Sequence, residues 1–168
     1  MKQDSQSQKG LYDLLAPNML SLCQRYLKDR EAAKDVMQDG FVTLFEKISD
    51  YRGDGSFEGW ARRIFVNTAL MQLRRNDALK FSDNIEASQA MQMVHSDTLA
   101  KIGADEIFKL VNSMPDGFRT VFNLYVIEGY SHIEIAEMLS ITEGASRSQL
   151  SRARAWLQEK IKTNDKYD

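Results

Sequence analysis

Tyr130-Ser-His-Ile-Glu-Ile-Ala-Glu-Met-Leu-Ser-Ile-Thr-Glu-Gly-Ala-Ser-Arg-Ser-Gln-Leu-Ser-Arg-Ala-Arg154 is the stretch on which the fold turns. Ser131 and Glu134 have the Ser-x-x-Glu spacing of a capping box, which opens a helix. That helix is short, turns Ile135, Ala136 and Leu139 inward and ends near Leu139. Ser140-Ile141 make a turn, and Thr142 can cap a final helix of about twenty residues. The small residues Gly144, Ala145 and Ser146 fall where two such helices would cross closely. Beyond the crossing, Arg147, Ser148, Gln149, Ser151 and Arg152 are expected to project outward, with Arg154 further along. These residue types reach base edges and phosphates in a major groove. Residues 143–155 hold three arginines and one acid. A solvated polar face is the plain alternative, but cap, turn and small-residue crossing in register favour a helix-turn-helix that binds DNA.

Working outward, helical periodicity extends over most of the chain. Residues 104–113 predict one helix, and Pro115-Asp116 opens another that runs to about Glu128 before Gly129-Tyr130 turns the chain. Arg119, early in that helix, suits either a structural ion pair or a second DNA contact. Residues 11–27 space Leu11, Leu14, Leu15, Leu22, Tyr26 and Leu27 helically, with Pro17 expected to interrupt or kink the helix. Asp29 can cap a helix through about Ser49, with Ala33, Met37, Phe41, Leu44, Phe45 and Ile48 inward. Gly40 sits mid-helix at a cost of about 1 kcal/mol relative to Ala. The glycines of Tyr51-Arg-Gly-Asp-Gly-Ser56 mark a loop, and Ser56 can cap a helix over 57–76. Residues 78–104 are polar and weakly periodic and read as a linker. The expected architecture is all-α, with a three-helix domain over residues 10–77 and a four-helix domain over 105–163.

Composition narrows the chemistry. The chain has 168 residues, 43% apolar and 27% charged, as a soluble globular protein does. One cysteine, Cys23, allows neither an intrachain disulfide nor a thiolate metal cluster. His95 and His132 are far apart, and no second ligand lies within helical reach of His132. No metal and no cofactor are therefore expected. No apolar run approaches the ~20 residues that span a membrane. Met1-Lys-Gln-Asp-Ser-Gln-Ser-Gln-Lys9 lacks the apolar stretch of a signal peptide, so a cytoplasmic protein without membrane insertion is expected. With 22 basic and 24 acidic groups the formal charge is −2, not the basic balance of many nucleic-acid binders. The charges are unevenly placed, however. Residues 56–80 carry five basic groups against two acids.

In that stretch Phe57, Trp60 and Phe65 interleave with Arg62, Arg63, Arg74 and Arg75. Bases interleaved with aromatics suit unpaired nucleotides, since charges track phosphates and flat rings hold bases. Trp60 and Phe65 read as core, whereas Asn67 is a polar residue on the same helix as Arg63 and Arg74. On the preceding helix Asp35, Gln38 and Asp39, with Val42 and Glu46 beyond, form an outward face. It is either solvated or a dock for a basic helical partner, and spacing alone does not separate the two.

Together these stretches resemble bacterial RNA polymerase sigma factors of the extracytoplasmic-function group. Ala32-Ala-Lys-Asp-Val-Met-Gln-Asp-Gly-Phe-Val-Thr-Leu-Phe45 is similar to the family's polymerase-binding helix. Tyr51 through Ala69, followed by Leu73-Arg-Arg75, is similar to its promoter-melting and minus-ten region. Met114 through Phe122, Glu128-Gly-Tyr-Ser131 and Gly144 through Arg154 are similar to its minus-35 region. The chain departs from the family pattern at Asp39, commonly Glu, at Gly40, at Ala145-Ser146, often Thr-Val, and at Gln149, often Arg. The resemblance implies a non-catalytic initiation subunit that brings core RNA polymerase to promoter DNA. It implies that Asp35, Gln38, Asp39 and Val42 contact the polymerase. Arg52, Ser56, Phe57, Arg63, Asn67 and Arg74 would handle the minus-ten element. Arg119, Arg147, Ser148, Gln149, Ser151, Arg152 and Arg154 would meet the minus-35 duplex. It also implies an anti-sigma factor, often membrane-bound in this family.

Two other readings stand beside it. A stand-alone helix-turn-helix regulator would use only residues 105–161 for DNA and would have no reason to load 51–75 with arginines and an exposed Asn67. An enzyme finds no nucleophile–base pair, phosphate loop or metal set in the sequence.

Overall fold

The computed structural model describes residues 5–76 and 104–164, and no strand occurs among them. The chain divides into two compact units, Met1–Asp77 and Ala78–Asp168. The linker expected over 78–104 lies almost wholly outside the described residues.

The first unit is a three-helix assembly in which α1 (Ser5–Tyr26), α2 (Arg30–Lys47) and α3 (Phe57–Arg75) each pack on the other two. α1 begins earlier than the leucine spacing predicts, and Pro17 lies inside it without ending it. Pro17 and its neighbour Asn18 are exposed. The break in bonding therefore falls on the wet side, while Leu15, Met19, Leu22, Cys23 and Tyr26 anchor the buried side. Leu14 is instead 73% exposed. Burial pushes the Cys23 thiol up to about 12, despite the opposing charge of Arg25, so the side chain behaves as an inert small hydrophobe.

The Asp29 carboxylate accepts from the Ala32 amide at 3.0 Å and starts α2 as expected. Ala33, Met37, Phe41 and Leu44 are buried, together with Val36 and Gly40. Gly40 has a specific reason. A Cβ there would lie 2.6 Å from Phe65 Cε1 and against Cδ1 of the same ring. Phe65 is fully buried and meets Phe41 edge-on, with centroids 5.0 Å apart. The helix-weakening glycine thus permits close approach of α2 and α3. α2 ends in a single 3₁₀ turn, Ile48–Asp50.

In the second unit α4 (Ala104–Ser113), α5 (Asp116–Phe122) and α6 (His132–Leu139) all pack on the long α7 (Glu143–Asn164). Val111, Met114 and Ala153 form a core cluster against which Ile107, Phe118, Phe122, Trp156 and Leu157 pack. The helix expected to run unbroken to Glu128 does not. After Phe122 it widens into a π turn over Asn123–Ile127, and the Glu128 amide donates to the Asn123 carbonyl at 2.9 Å. Asn123 and Leu124 stay buried while Tyr125, Val126 and Ile127 turn toward solvent. Such widened turns often sit near functional surfaces. No helix of the described residues is long and apolar enough to cross a membrane.

Candidate nucleic-acid interface

The α6–α7 pair has the geometry of a helix-turn-helix. The Ser131 hydroxyl accepts from the Glu134 amide, and the Glu134 carboxylate accepts from the Ser131 amide at 2.8 Å. Both halves of the capping box are therefore present. Ser140 closes α6 in the left-handed region, with φ 56°, a conformation non-glycine residues adopt reluctantly. Thr142 then caps α7 by accepting from the Ala145 amide at 3.0 Å.

The outward front of α7 is Arg147, Ser148, Ser151 and Arg154, all exposed, with Arg152 half-buried. Arg147 pairs with Glu143 one turn earlier. Two expected members of this front are placed elsewhere. Gln149 is 8% exposed, because Ser146, Gln149, Leu150 and Ala153 share the inward face at helical spacing. Its Oε1 finds no hydrogen-bond partner. The expectation that it projects to DNA is corrected on that ground. The small-residue crossing is also narrower than expected. Ser146 is fully buried at it, whereas Gly144 is exposed and a Cβ there would approach nothing closer than Thr142 Oγ1 at 3.9 Å.

Arg119 is corrected as well. It is 1% exposed. Its Nη1 donates to the carbonyls of Asn112 and Met114, both at 3.2 Å, and its Nη2 to Asp116 Oδ1 at 2.8 Å. Burial pushes the guanidinium below its ordinary value, against the charge and hydrogen bond of Asp116, and an arginine stays charged regardless. The two carbonyls lie at and just beyond the end of α4, where helices leave acceptors unfilled. Arg119 therefore ties α4 to the start of α5. Of the two roles open to it in the sequence, the structure fits the ion pair.

His132 is half-buried. Its ring stacks on Tyr125, with centroids 4.4 Å apart and planes 21° apart. Its Nδ1 is 2.9 Å from Ser146 Oγ. Burial lowers its pKa first of all. Arg147 and Arg154 push the same way, and Glu143 opposes them. Among the described residues no cluster of three or more His, Cys, Asp or Glu side chains is placed to hold a metal.

The first unit presents two further surfaces. On α3, Arg63, Asn67 and Arg74 share an exposed face. Met71, 52% exposed, lies in the same stripe; its apolar character hides it among core positions when only the sequence is read. At the head of α3 the rings of Tyr51, Phe57 and Trp60 cluster, with centroids 5.2, 5.4 and 5.6 Å apart. All three are half-buried, so Trp60 is less a core residue than its spacing suggests. Tyr51 Oη donates to the Gly55 carbonyl at 2.8 Å. Gly53 and Gly55 have φ of 82° and 87°, which L side chains rarely adopt. The loop that carries exposed Arg52 is thereby folded back onto the aromatic cluster. Ser56 Oγ accepts from the Gly59 amide at 3.0 Å, so its acceptor side serves the cap. On α2, Asp35, Gln38, Asp39, Val42 and Glu46 are all exposed, and Val42 is 58% exposed amid the acids.

Comparison with known proteins gives this arrangement a context. Residues 11–79 match the family model for Sigma-70 region 2, and residues 104–157 that for Sigma-70, region 4. The chain is 28% identical over 152 residues to the ECF RNA polymerase sigma-E factor of Escherichia coli (strain K12), covering 84% of this chain and 79% of that protein. It is 28% identical over 171 residues to the protein of the same name from Haemophilus influenzae, covering 93% and 90%. Among solved structures it resembles the sigma factor RpoE of Bartonella quintana, crystallised with the anti-sigma factor NepR. There the TM-score is 0.57 at 21% identity, over 92% of this chain and 96% of that one. It also resembles CnrH in complex with the cytosolic domain of CnrY, with a TM-score of 0.51 at 20% identity over 96% and 91%.

Proposed function

The chain belongs to the sigma-70 family, with a region 2 and a region 4 in one polypeptide, and from that premise we propose how its surfaces divide the work of initiation. It is an alternative sigma factor of the extracytoplasmic-function type, which directs RNA polymerase to specific promoters. The observation that carries the division of labour is the presence of two separate polar recognition surfaces on two compact units of one chain.

The acidic face of α2 is the polymerase dock. Asp35, Gln38 and Asp39 supply charge and hydrogen bonds for a basic helical partner. Val42 adds an exposed apolar contact that gains from burial. The α3 stripe, with Arg63, Asn67 and Arg74, tracks the minus-ten strand. The 51–57 loop and its rings hold an unstacked base, which offsets a few kcal/mol of unstacking. Arg52 and Phe57 lie at that loop. Arg147, Ser148, Ser151 and Arg154 meet the minus-35 duplex, with Arg152 on their flank. Arg119 and Gln149 act from behind, as structure.

The protein is non-catalytic by this reading, since every step it performs is binding. Two weakly binding units on one chain add their contacts through effective concentration. An anti-sigma factor is its regulator, by likeness to a sigma factor crystallised with one. The test is reconstituted transcription with core RNA polymerase and start-site mapping. Defined start sites that depend on this chain are expected. Failure to bind core would overturn the reading.

A further inference from the structure

A hydrogen bond between His132 and Ser146 joins the start of α6 to α7. Ser146 is fully buried on the inward face of α7. A buried hydroxyl needs a partner, and its Oγ lies 2.9 Å from His132 Nδ1 at the first turn of α6. The other side of the imidazole is held flat against Tyr125 by ring stacking. Tyr125 is in turn presented by the π turn over Asn123–Ile127. Three elements therefore converge on one ring: the π turn, the start of α6 and the first turns of α7. The residue next to Ser146 is Arg147, the first basic group of the exposed front.

We propose that His132 is a positioning residue for minus-35 recognition: by bridging Tyr125 to Ser146 it sets the phase and depth at which α7 presents Arg147 and Ser148 to the duplex. The inference rests on the reading of α7 as the minus-35 helix. An apolar contact at this crossing would tolerate small rotations of α7. A directional hydrogen bond does not, since it weakens steeply as the angle departs from linear. The charges around the ring bear on its form. Arg147, Arg154 and Glu143 face it from α7, Tyr125 stacks on it from the π turn, and Glu134 lies within its own helix. Two cations against one carboxylate on α7 favour the uncharged imidazole, which still offers Nδ1 to Ser146 in either tautomer. A proton on the ring would draw Glu143 away from its pairing with Arg147 and so disturb the front it positions.

The test uses the full chain bound to core RNA polymerase and a duplex library randomised across the minus-35 element. Selected sequences are counted for wild type, His132→Ala, His132→Asn and Ser146→Ala. Asn keeps a donor and an acceptor near the position of Nδ1, without titrating. His132→Ala and Ser146→Ala should each lower the enrichment of the preferred minus-35 sequence over its single-base variants by about fivefold, the weight of one ordinary hydrogen bond. His132→Asn should stay within about twofold of wild type on the same scale. Binding to core should be equal for all four, since α2 is untouched. Unchanged selectivity in either alanine variant overturns the inference, and so does equal loss in His132→Asn and His132→Ala. Should His132→Ala melt below the assay temperature, the selectivity of Ser146→Ala decides by itself. A wild-type holoenzyme that selects no minus-35 sequence overturns the reading of α7 itself. Selection by wild type with no effect of the alanine variants overturns only the role of His132.

Discussion

Replacing Arg119 by methionine separates its two candidate roles, because they predict effects on different quantities. Methionine fills much of the same volume without polar atoms, so the change removes the interactions and leaves little cavity. The interactions include two hydrogen bonds to main-chain carbonyls and an ion pair to Asp116. Asp116 is 31% exposed and recovers water when its partner goes. The Met114 carbonyl bond is fully buried and the Asn112 bond partly so, and each acceptor left unfilled costs about 1–3 kcal/mol. Two such acceptors together cost about 2–6 kcal/mol. A domain of this size shifts its melting point by about 4–8 °C per kcal/mol, so the second unit should melt at least about 8 °C lower. Thermal unfolding followed by circular dichroism reads this directly. At a temperature where the variant is still folded, its minus-35 preference should be that of wild type. A variant that melts within about 2 °C of wild type but binds promoter poorly would refute the structural assignment and restore Arg119 to the DNA.

Four further outcomes are expected. Gly40→Ala should lower the urea midpoint: the new Cβ runs into the buried Phe65 ring, at about 1–3 kcal/mol, more than the ~1 kcal/mol of helix propensity it gains. Gln149→Leu should raise the melting temperature and leave promoter choice unchanged, because it removes a buried acceptor with no partner; altered selection at a minus-35 position would return this residue to the DNA. Asp35→Ala should weaken binding to core polymerase, measured by co-elution or fluorescence titration, while leaving melting temperature and the minus-35 preference as they were. The folded-state pKa of His132 lies below its ordinary 6.5, so the unfolded chain binds the proton more readily; the stability this contributes is fully present above about 6.5 and is lost as pH falls through the lowered value. Melting curves of wild type and His132→Asn should therefore diverge on acidification, wild type losing more, and parallel curves would count against the lowered pKa.

The elements were legible wherever local chemistry dictates them. Asp29, Ser56, Ser131 and Thr142 cap helices by side-chain geometry that depends on a few neighbouring residues. The outward face of α2 was legible for a similar reason, since Asp35, Gln38, Asp39 and Val42 are set apart from a well-marked apolar stripe. What stayed hidden depends on contacts across the fold. Gly40 looks like a poor helix residue until the Phe65 ring is seen against it. Arg119 looks like a surface cation because the carbonyls that hold it lie at and just beyond the end of the preceding helix. Gln149 sits in a polar run, and only the phase set by Ser146, Leu150 and Ala153 carries it inward. The π turn was not legible either, because one residue of register in a widened turn leaves no mark in hydrophobic spacing.

These corrections change how the chain's charge acts. With Arg119 buried, the cations left to meet DNA along the front of α7 are Arg147 and Arg154, with Arg152 half-buried beside them, and Arg147 already faces Glu143. So few phosphate contacts release few counterions, and counterion release supplies most of a protein's unspecific hold on DNA. The first unit has its basic stripe on α3, but α2 beside it carries an exposed acidic face, and residues 1–77 hold 12 basic against 11 acidic groups. On the proposed reading, each unit by itself is therefore expected to hold arbitrary duplex weakly. A strongly basic chain would bind DNA without its polymerase and be lost to the many unspecific sites of a genome. A near-neutral chain with short basic fronts reaches useful affinity only when both fronts are presented together and the polymerase supplies the rest. On the proposed reading, the overall charge of −2 is part of promoter selection, because it makes recognition depend on assembly.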